Sequence, residues 1–212
     1  MNHYEVLIYV EGSSDAQGLR VLLKDLIAEK QHDGVSIRFL PSGGKKKLLN
    51  QGLKRAVNIV LHHPKNEVVL VPDLYPQNMG FEHESQEELF RGIEVRLTEL
   101  FRQKASGDSQ ARRRIQYFCF KHDFECLLLA ASDNLRAHLN TNSLSVSWTE
   151  PVEDQNHDDP PKRVVERIFD ACGQKYVATE DAFNILANAE YQQLAAACPQ
   201  GFKPFVEYLK AL

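Results

Sequence analysis

The chain has 212 residues, enough for one good core or for one domain with an appendage. Its 43% hydrophobic and 25% charged residues are ordinary for a soluble globular protein. The formal net charge of −4 excludes a global pull towards nucleic acid or anionic lipid, so any nucleic-acid contact must come from local patches.

The first element is an apolar run, Glu5-Val6-Leu7-Ile8-Tyr9-Val10, read as a strand that ends in Glu11-Gly12-Ser13-Ser14-Asp15. Gly12 permits a sharp turn, and Ser13, Ser14 or Asp15 can cap the helix that follows. Glu11 is needed for neither task. The helix is marked by Leu19, Leu22, Leu23, Leu26 and Ile27 at helical spacing. A short alternating strand, Val35 to Phe39, comes next. Then Pro41-Ser42-Gly43-Gly44-Lys45-Lys46-Lys47 opens a second helix carrying Leu49, Leu53, Ala56, Val57 and Val60. Glycines before a helix can present N–H groups to a phosphate, and Lys45, Lys46 and Lys47 would add charge. The run lacks the first Gly and the Ser/Thr of a Walker A loop. A solvated, lysine-rich helix start is the alternative.

The third strand, Val68-Val69-Leu70-Val71, is apolar throughout, the pattern of a parallel strand covered on both faces. It stops at Pro72 and delivers Asp73 just past its carboxyl end, the edge where ligands gather in open α/β sheets. An Asp in this place also commonly caps a turn through its own backbone. The polar segment Tyr75 to Glu88 is expected to loop over the same edge. A third helix follows, with Leu89, Ile93, Leu97, Leu100 and Phe101. The stretch from Lys104 to Arg114 is read as a flexible connection ending in Arg112-Arg113-Arg114, either a phosphate contact or an exposed turn.

The fourth strand, Ile115 to Phe120, delivers Lys121, His122, Asp123 and Glu125 into a helix from Phe124 to Ala131. On that helix His122 and Glu125 would share a face, and Asp123 would serve as its N-cap. His122 is a candidate metal ligand, base or hydrogen-bonding support. Glu125 sits among apolar neighbours, where an acid is expensive unless paired or metal-bound. Asn140 to Pro161 is read as a long surface loop. Helices then run from Lys162 to Leu212 on Val164, Val165 and Ile168, on Phe183, Ile185 and Leu186, and on Phe205, Val206 and Leu209.

Four strands alternating with helices predict an α/β fold with a mainly parallel sheet. If the first and third strands are neighbours, Glu11 and Asp73 emerge on one edge, about 5 to 10 Å apart from strand spacing. Two carboxylates that close repel unless a positive charge intervenes. A hard cation, Mg²⁺ or Mn²⁺, is the natural occupant, with Asp15 and Glu125 completing the set. The four cysteines form no close pair, and neither a signal peptide nor an apolar run of membrane-spanning length is evident. That predicts reduced thiols, a cytoplasmic location and no membrane contact.

Val10-Glu11-Gly12-x-x-Asp15, together with Asp73 at the end of a later apolar strand, resembles the Toprim domain of topoisomerases, primases and the overcoming-lysogenization-defect nucleases. Asp73-Leu74-Tyr75 with His122-Asp123-Phe124-Glu125-Cys126-Leu127-Leu128 resembles more closely the bacterial domain-of-unknown-function family 4276, a Toprim-like family. That family's signature is roughly His-Glu-Phe-Glu-Ala-Leu-Leu-Phe. Cys198-Pro199, Phe202 and the final helix also fit, so the resemblance covers most of the chain. Asp123 stands for the first Glu of the signature, and Tyr75 stands for the second Asp of the general Toprim Asp-x-Asp. The resemblance implies a Toprim-like core over residues 1–130 with a four-stranded sheet, and a loop and helical appendage over 131–212 packed on it. It also implies a metal-dependent nuclease, catalytic through Glu11, Asp73, His122 and Glu125, with bacterial defence or DNA maintenance as context. The expected partners are nucleic acid, DNA before RNA, and an ATPase; homo-oligomerisation stays open. The competing expectation is a non-catalytic binding module with an incomplete site.

Overall fold

The apolar run at the start forms strand β1 (Tyr4–Val10), and its residues divide between two cores. Val6, Ile8 and Val10 enter one core, Leu7 and Tyr9 the other, as the two-residue period of a strand requires. A strand buried on both faces needs helices on both sides. The computed structural model, which describes residues 4–104, 109–155 and 157–212, supplies them.

In chain order β1 leads to helices α1 (Ser13–Leu22) and α2 (Lys24–His32), then strand β2 (Val35–Pro41). A single turn α3 (Lys45–Lys47) runs through a π-helical turn, Leu48–Gly52, into α4 (Leu53–His62). Strand β3 (Asn66–Val71), the long helix α5 (Gln86–Gln103), the short α6 (Ser109–Arg113) and strand β4 (Ile115–Tyr117) follow. The remainder is helical: α7 (Cys126–Ala130), α8 (Ser132–His138), a 3₁₀ turn at Val152–Asp154, α9 (Pro161–Ala171), α10 (Ala178–Leu186), α11 (Tyr191–Ala197) and α12 (Phe202–Ala211).

The four strands form one all-parallel sheet in the order β2-β1-β3-β4. Its register sets Val10 opposite Val71, so Glu11 and Asp73 leave the sheet side by side. Pairing continues past Pro72 through a parallel bridge between Asp73 and Phe120, with the Leu74 amide on the Phe120 carbonyl at 2.8 Å. The Tyr75 amide then reaches the His122 carbonyl at 2.7 Å, which ties the two loops together.

Several expectations are corrected in detail. The first helix is broken at Leu23, whose backbone (φ −97°, ψ 14°) closes one helix and opens the next. The fourth strand is short, and Phe120 reaches the sheet only through the bridge. Its successor begins at Cys126, because His122 takes a left-handed conformation (φ 82°) that no α-helix holds. His122 and Glu125 therefore share no helix face. Residues 105–108 of the expected flexible connection lie outside the described residues, while Ser109–Arg113 is helical. The arginines there are structural: Arg112 pairs with Glu94, and Arg114 donates to the carbonyls of His63 (2.9 Å) and Asn66 (3.0 Å) and to Val60 at the end of α4.

The segment after residue 130 contributes to the same core as the sheet: Val164, Val165, Ile168, Phe202, Phe205 and Val206 join β1 and β3 on one face. Phe183, expected inside, is 39% exposed, and Ala182 with Ile185 takes its place. The loop from Asn140 is not confined to the surface. Glu153 is fully buried and accepts the amides of Gln200 and Gly201, both at 2.6 Å, fixing the loop to the start of α12. At Gly201 a Cβ would meet the Cys119 carbonyl at 2.6 Å, so this close approach requires glycine.

Candidate functional site

The site is built first from β1. The Glu11 carbonyl accepts the amides of Gly43 (2.9 Å) and Gly44 (2.8 Å), while its carboxylate accepts the Asp73 amide at 3.0 Å. Both glycines have positive φ (79° and 107°), which lets the turn fold back over Glu11. Those two amides are thereby engaged and offer no cradle to a phosphate. Asp15 sits three residues into the turn after Gly12 and accepts its amide at 2.8 Å, while its other oxygen takes the Ser14 hydroxyl at 3.0 Å. It fixes the start of α1, the half of a capping box that faces back.

Lys45 departs from the rest of its run. Its ammonium is 2% exposed and donates to the carbonyls of Leu74 and Pro76, both at 2.7 Å. Burial pulls its pKa down to about 8, against the pull of Glu11 and Asp73 nearby. It pins the loop after Asp73, whereas Lys46 and Lys47 are exposed.

The opposite wall carries Asp123 and Glu125, both more than nine-tenths buried. Asp123 is not the cap of its own helix. Its Oδ2 accepts the Lys162 amide at 3.3 Å, so it caps the first turn of α9 from across the cleft. Its Oδ1 is buried with no hydrogen-bond partner. Glu125 accepts the Tyr176 hydroxyl at 3.3 Å. Gly18 on α1 packs onto Phe124 so closely that a Cβ would lie 2.7 Å from the ring, which brings the two walls together.

Glu11, Asp15, Asp73, Asp123 and Glu125 line one cleft of about 670 Å³, joined at its rim by Lys162, Arg163 and Glu166. His122 does not line it. That ring is buried behind Tyr75, with centroids 5.8 Å apart, and burial beside His157 and Lys121 pulls its pKa down to about 4. Sequence reasoning set Asp123 aside as a cap and passed over Lys162, Arg163, Glu166 and Tyr176. The one local signal for the basic pair was Pro160-Pro161, a helix start. A larger cleft of about 990 Å³ lies between the 76–85 loop and α5. It gathers no comparable set of buried acids.

Crowding of acids in a dry setting disfavours their charged forms. Burial, with Asp15 as a like-charged neighbour, pushes Glu11 up to about 7 against the opposing Asp73 amide and Lys45. Burial and the surrounding carboxylates, Glu11 first, hold Asp73 well above the usual range. Burial and Glu125 do the same to Asp123. Glu125 rises to about 7 through burial, opposed by Lys162. Such a cluster is relieved by protons or by a cation.

The residues fit a hard divalent cation in donor chemistry: adjacent carboxylates at Glu11 and Asp73, and an unpartnered buried oxygen on Asp123. Among the described residues no group of three or more His, Cys, Asp or Glu is already arranged to hold a metal. Mg²⁺ commonly takes one or two carboxylates and keeps its remaining positions for water and phosphate. No helix among the described residues is long and apolar enough to cross a membrane.

Solved structures share this architecture. The C-terminal region of the Burkholderia pseudomallei OLD protein superposes with a TM-score of 0.52 at 17% identity, over 100% of this chain and 98% of that one. The C-terminal region of the Xanthomonas campestris pv. campestris OLD protein gives 0.51 at 13% identity, over 99% and 97%. At these identities the likeness concerns the fold, which is Toprim-like as in the OLD C-terminal region. A search of curated proteins finds no match to this sequence. The model of the domain of unknown function DUF4276 matches residues 10–210, from the last residue of β1 through the cleft to the C-terminal helices, and the chain belongs to that family.

Proposed function

We propose that this chain is a Mg²⁺- or Mn²⁺-dependent phosphodiester hydrolase acting on nucleic acid at the acidic cleft. The observation that carries the proposal is the convergence of half-buried Glu11 and Asp73 with buried Asp123 and Glu125 in one cleft at the edge of a parallel sheet, with Lys162 at its rim. A bound cation would supply charge neutralisation at the phosphoryl oxygens and a water of lowered pKa. Glu11 and Asp73 are the residues to hold it, with Asp123 contributing its free oxygen. Asp15 keeps Glu11 in register by fixing the Gly12 turn. Glu125, with a pKa near 7 and oriented by Tyr176, holds or releases a proton beside the attacked phosphate. Lys162 offers its ammonium to the phosphodiester, Lys46 and Lys47 flank the cleft for backbone contact, and His122 positions the Tyr75 loop.

The net charge of −4 gives little non-specific grip on DNA. That suits a cleavage unit working beside an ATPase partner, with DNA preferred to RNA and bacterial defence or DNA maintenance as the setting. The alternative, a non-catalytic binding module, is favoured by Tyr75, which replaces a second carboxylate with an aromatic ring two residues after Asp73.

The test is cleavage of plasmid, single-stranded DNA and RNA by purified protein with Mn²⁺, Mg²⁺ or chelator, beside Glu11→Gln. Metal-dependent cutting that disappears in the variant is expected. No cutting, and no metal-induced rise in melting temperature, would overturn the hydrolase in favour of the binding module.

A further inference from the structure

Tyr75 is held as firmly as the acids beside it. Its amide bonds to the His122 carbonyl at 2.7 Å, and the loop that carries it is pinned by Lys45 on both sides, at Leu74 and Pro76. The ring lines the acidic cleft. It stacks on His157 with centroids 5.3 Å apart and planes 26° apart, and the His122 ring stands 5.8 Å from each of them. His122 is 4% exposed, takes a left-handed backbone and keeps a buried Nδ1 with no hydrogen-bond partner. That conformation is unfavourable for a residue other than glycine, so the surroundings must hold the ring there. The three rings come from separate loops, after β3, after β4 and before α9, yet they meet beside the cleft, which Tyr75 lines.

The charges that act on the Tyr75 hydroxyl are the carboxylates of Asp158 and Glu84, which would repel a phosphate there. A partly exposed aromatic face beside a polyanion site is what a nucleobase takes, because every base has a π-face.

We propose that Tyr75 and His157 form a base-stacking subsite for the nucleotide next to the scissile phosphodiester, so that the cleft takes single-stranded or frayed nucleic acid in preference to intact duplex. A base on this platform must first leave its own stack, which a duplex opposes far more than a single strand does. The proposal rests on the nucleic-acid reading above and names the form of the substrate.

The test uses a short single-stranded DNA with 2-aminopurine placed in turn at each central position, bound to the full chain in Ca²⁺ and checked to remain intact. Binding should quench the fluorophore at one or two positions, and the matching duplex should bind at least about ten-fold more weakly. Tyr75→Ala should weaken binding roughly ten-fold and remove the quench, while Tyr75→Phe keeps both. The salt dependence of Tyr75→Ala binding should match wild type, because no phosphate contact is lost. His157→Ala, at an exposed position, should reduce the quench without threatening the fold. Equal binding of duplex, or a quench that survives in both Tyr75→Ala and His157→Ala, would overturn the subsite while leaving the nucleic-acid reading intact. Failure of the wild type to bind any nucleic acid would overturn both.

Discussion

The two walls of the cleft are made in different ways. The Glu11 and Asp73 wall is set by the sheet, each acid placed by the strand it follows and the Glu11 carboxylate taking the Asp73 amide of the neighbouring strand's end. The Asp123 and Glu125 wall is assembled outside the sheet, through contacts of the acids' own carboxylates with an amide 39 residues away for Asp123 and a hydroxyl 51 residues away for Glu125. On the first wall a backbone amide holds Glu11 and a buried lysine pins the loop after Asp73, while on the second a helix start holds Asp123 and a tyrosine holds Glu125. On the proposed reading, the sheet edge holds the cation with help from Asp123, and Glu125 on the second wall handles the proton.

Substitutions on the first wall should have the largest effect. Glu11→Gln or Asp73→Asn is expected to lower metal-dependent cleavage by about 1,000-fold or more, since several kcal/mol of charge stabilisation depend on the cation. In chelator their melting temperatures should equal or exceed wild type, because a buried repulsion is relieved. A variant that cuts normally would dissolve the distinction between the walls. On the second wall Glu125→Gln should lower kcat by about 100-fold. Tyr176→Phe, which removes only the orienting hydroxyl, should lower it by about ten-fold, with KM little changed. If both act on KM alone, the second wall binds and does no more.

Lys45→Met separates the buried lysine from its exposed neighbours. It leaves two carbonyls unpaired and should reduce stability by about 1–3 kcal/mol in urea unfolding, whatever the substrate. The pH dependence follows from the acids. Glu11 and Glu125 have folded pKa values raised to about 7, above their unfolded values, so the folded state binds the extra protons. The resulting stability is fully present below the unfolded carboxylate range and is lost as pH rises through about 7. In chelator the melting temperature should therefore fall between pH 5 and pH 8, and saturating Mn²⁺ should narrow that fall. The smallest effect belongs to Lys46→Ala with Lys47→Ala: a loss of up to about 2 in the log–log salt slope of DNA binding.

The parallel sheet and the Glu11–Asp73 edge were legible because they rest on local pattern. An apolar run that stops at a charged residue carries its own position, and neighbouring strands bring such ends together. The roles of Lys45 and Asp123 were not legible. Three consecutive lysines look alike until the fold buries one, and an acid preceding a helix reads as its cap when its partner lies on another helix. His122 was read onto a helix face because nothing in its type predicts a positive φ. The sequence singled out Tyr75 only as a missing acid, since its ring acquires neighbours through two distant loops.

The most direct test of a cation-holding acidic edge is calorimetric titration of Mn²⁺ at pH 7, run in two buffers of different ionisation enthalpy, on wild type, Glu11→Gln and Asp73→Asn. Wild type is expected to bind Mn²⁺ and to release protons as it does so, because Glu11 is partly protonated at that pH, and both variants are expected to lose that binding. Binding of equal strength in all three proteins, or binding to wild type without proton release, would contradict a cation-holding edge.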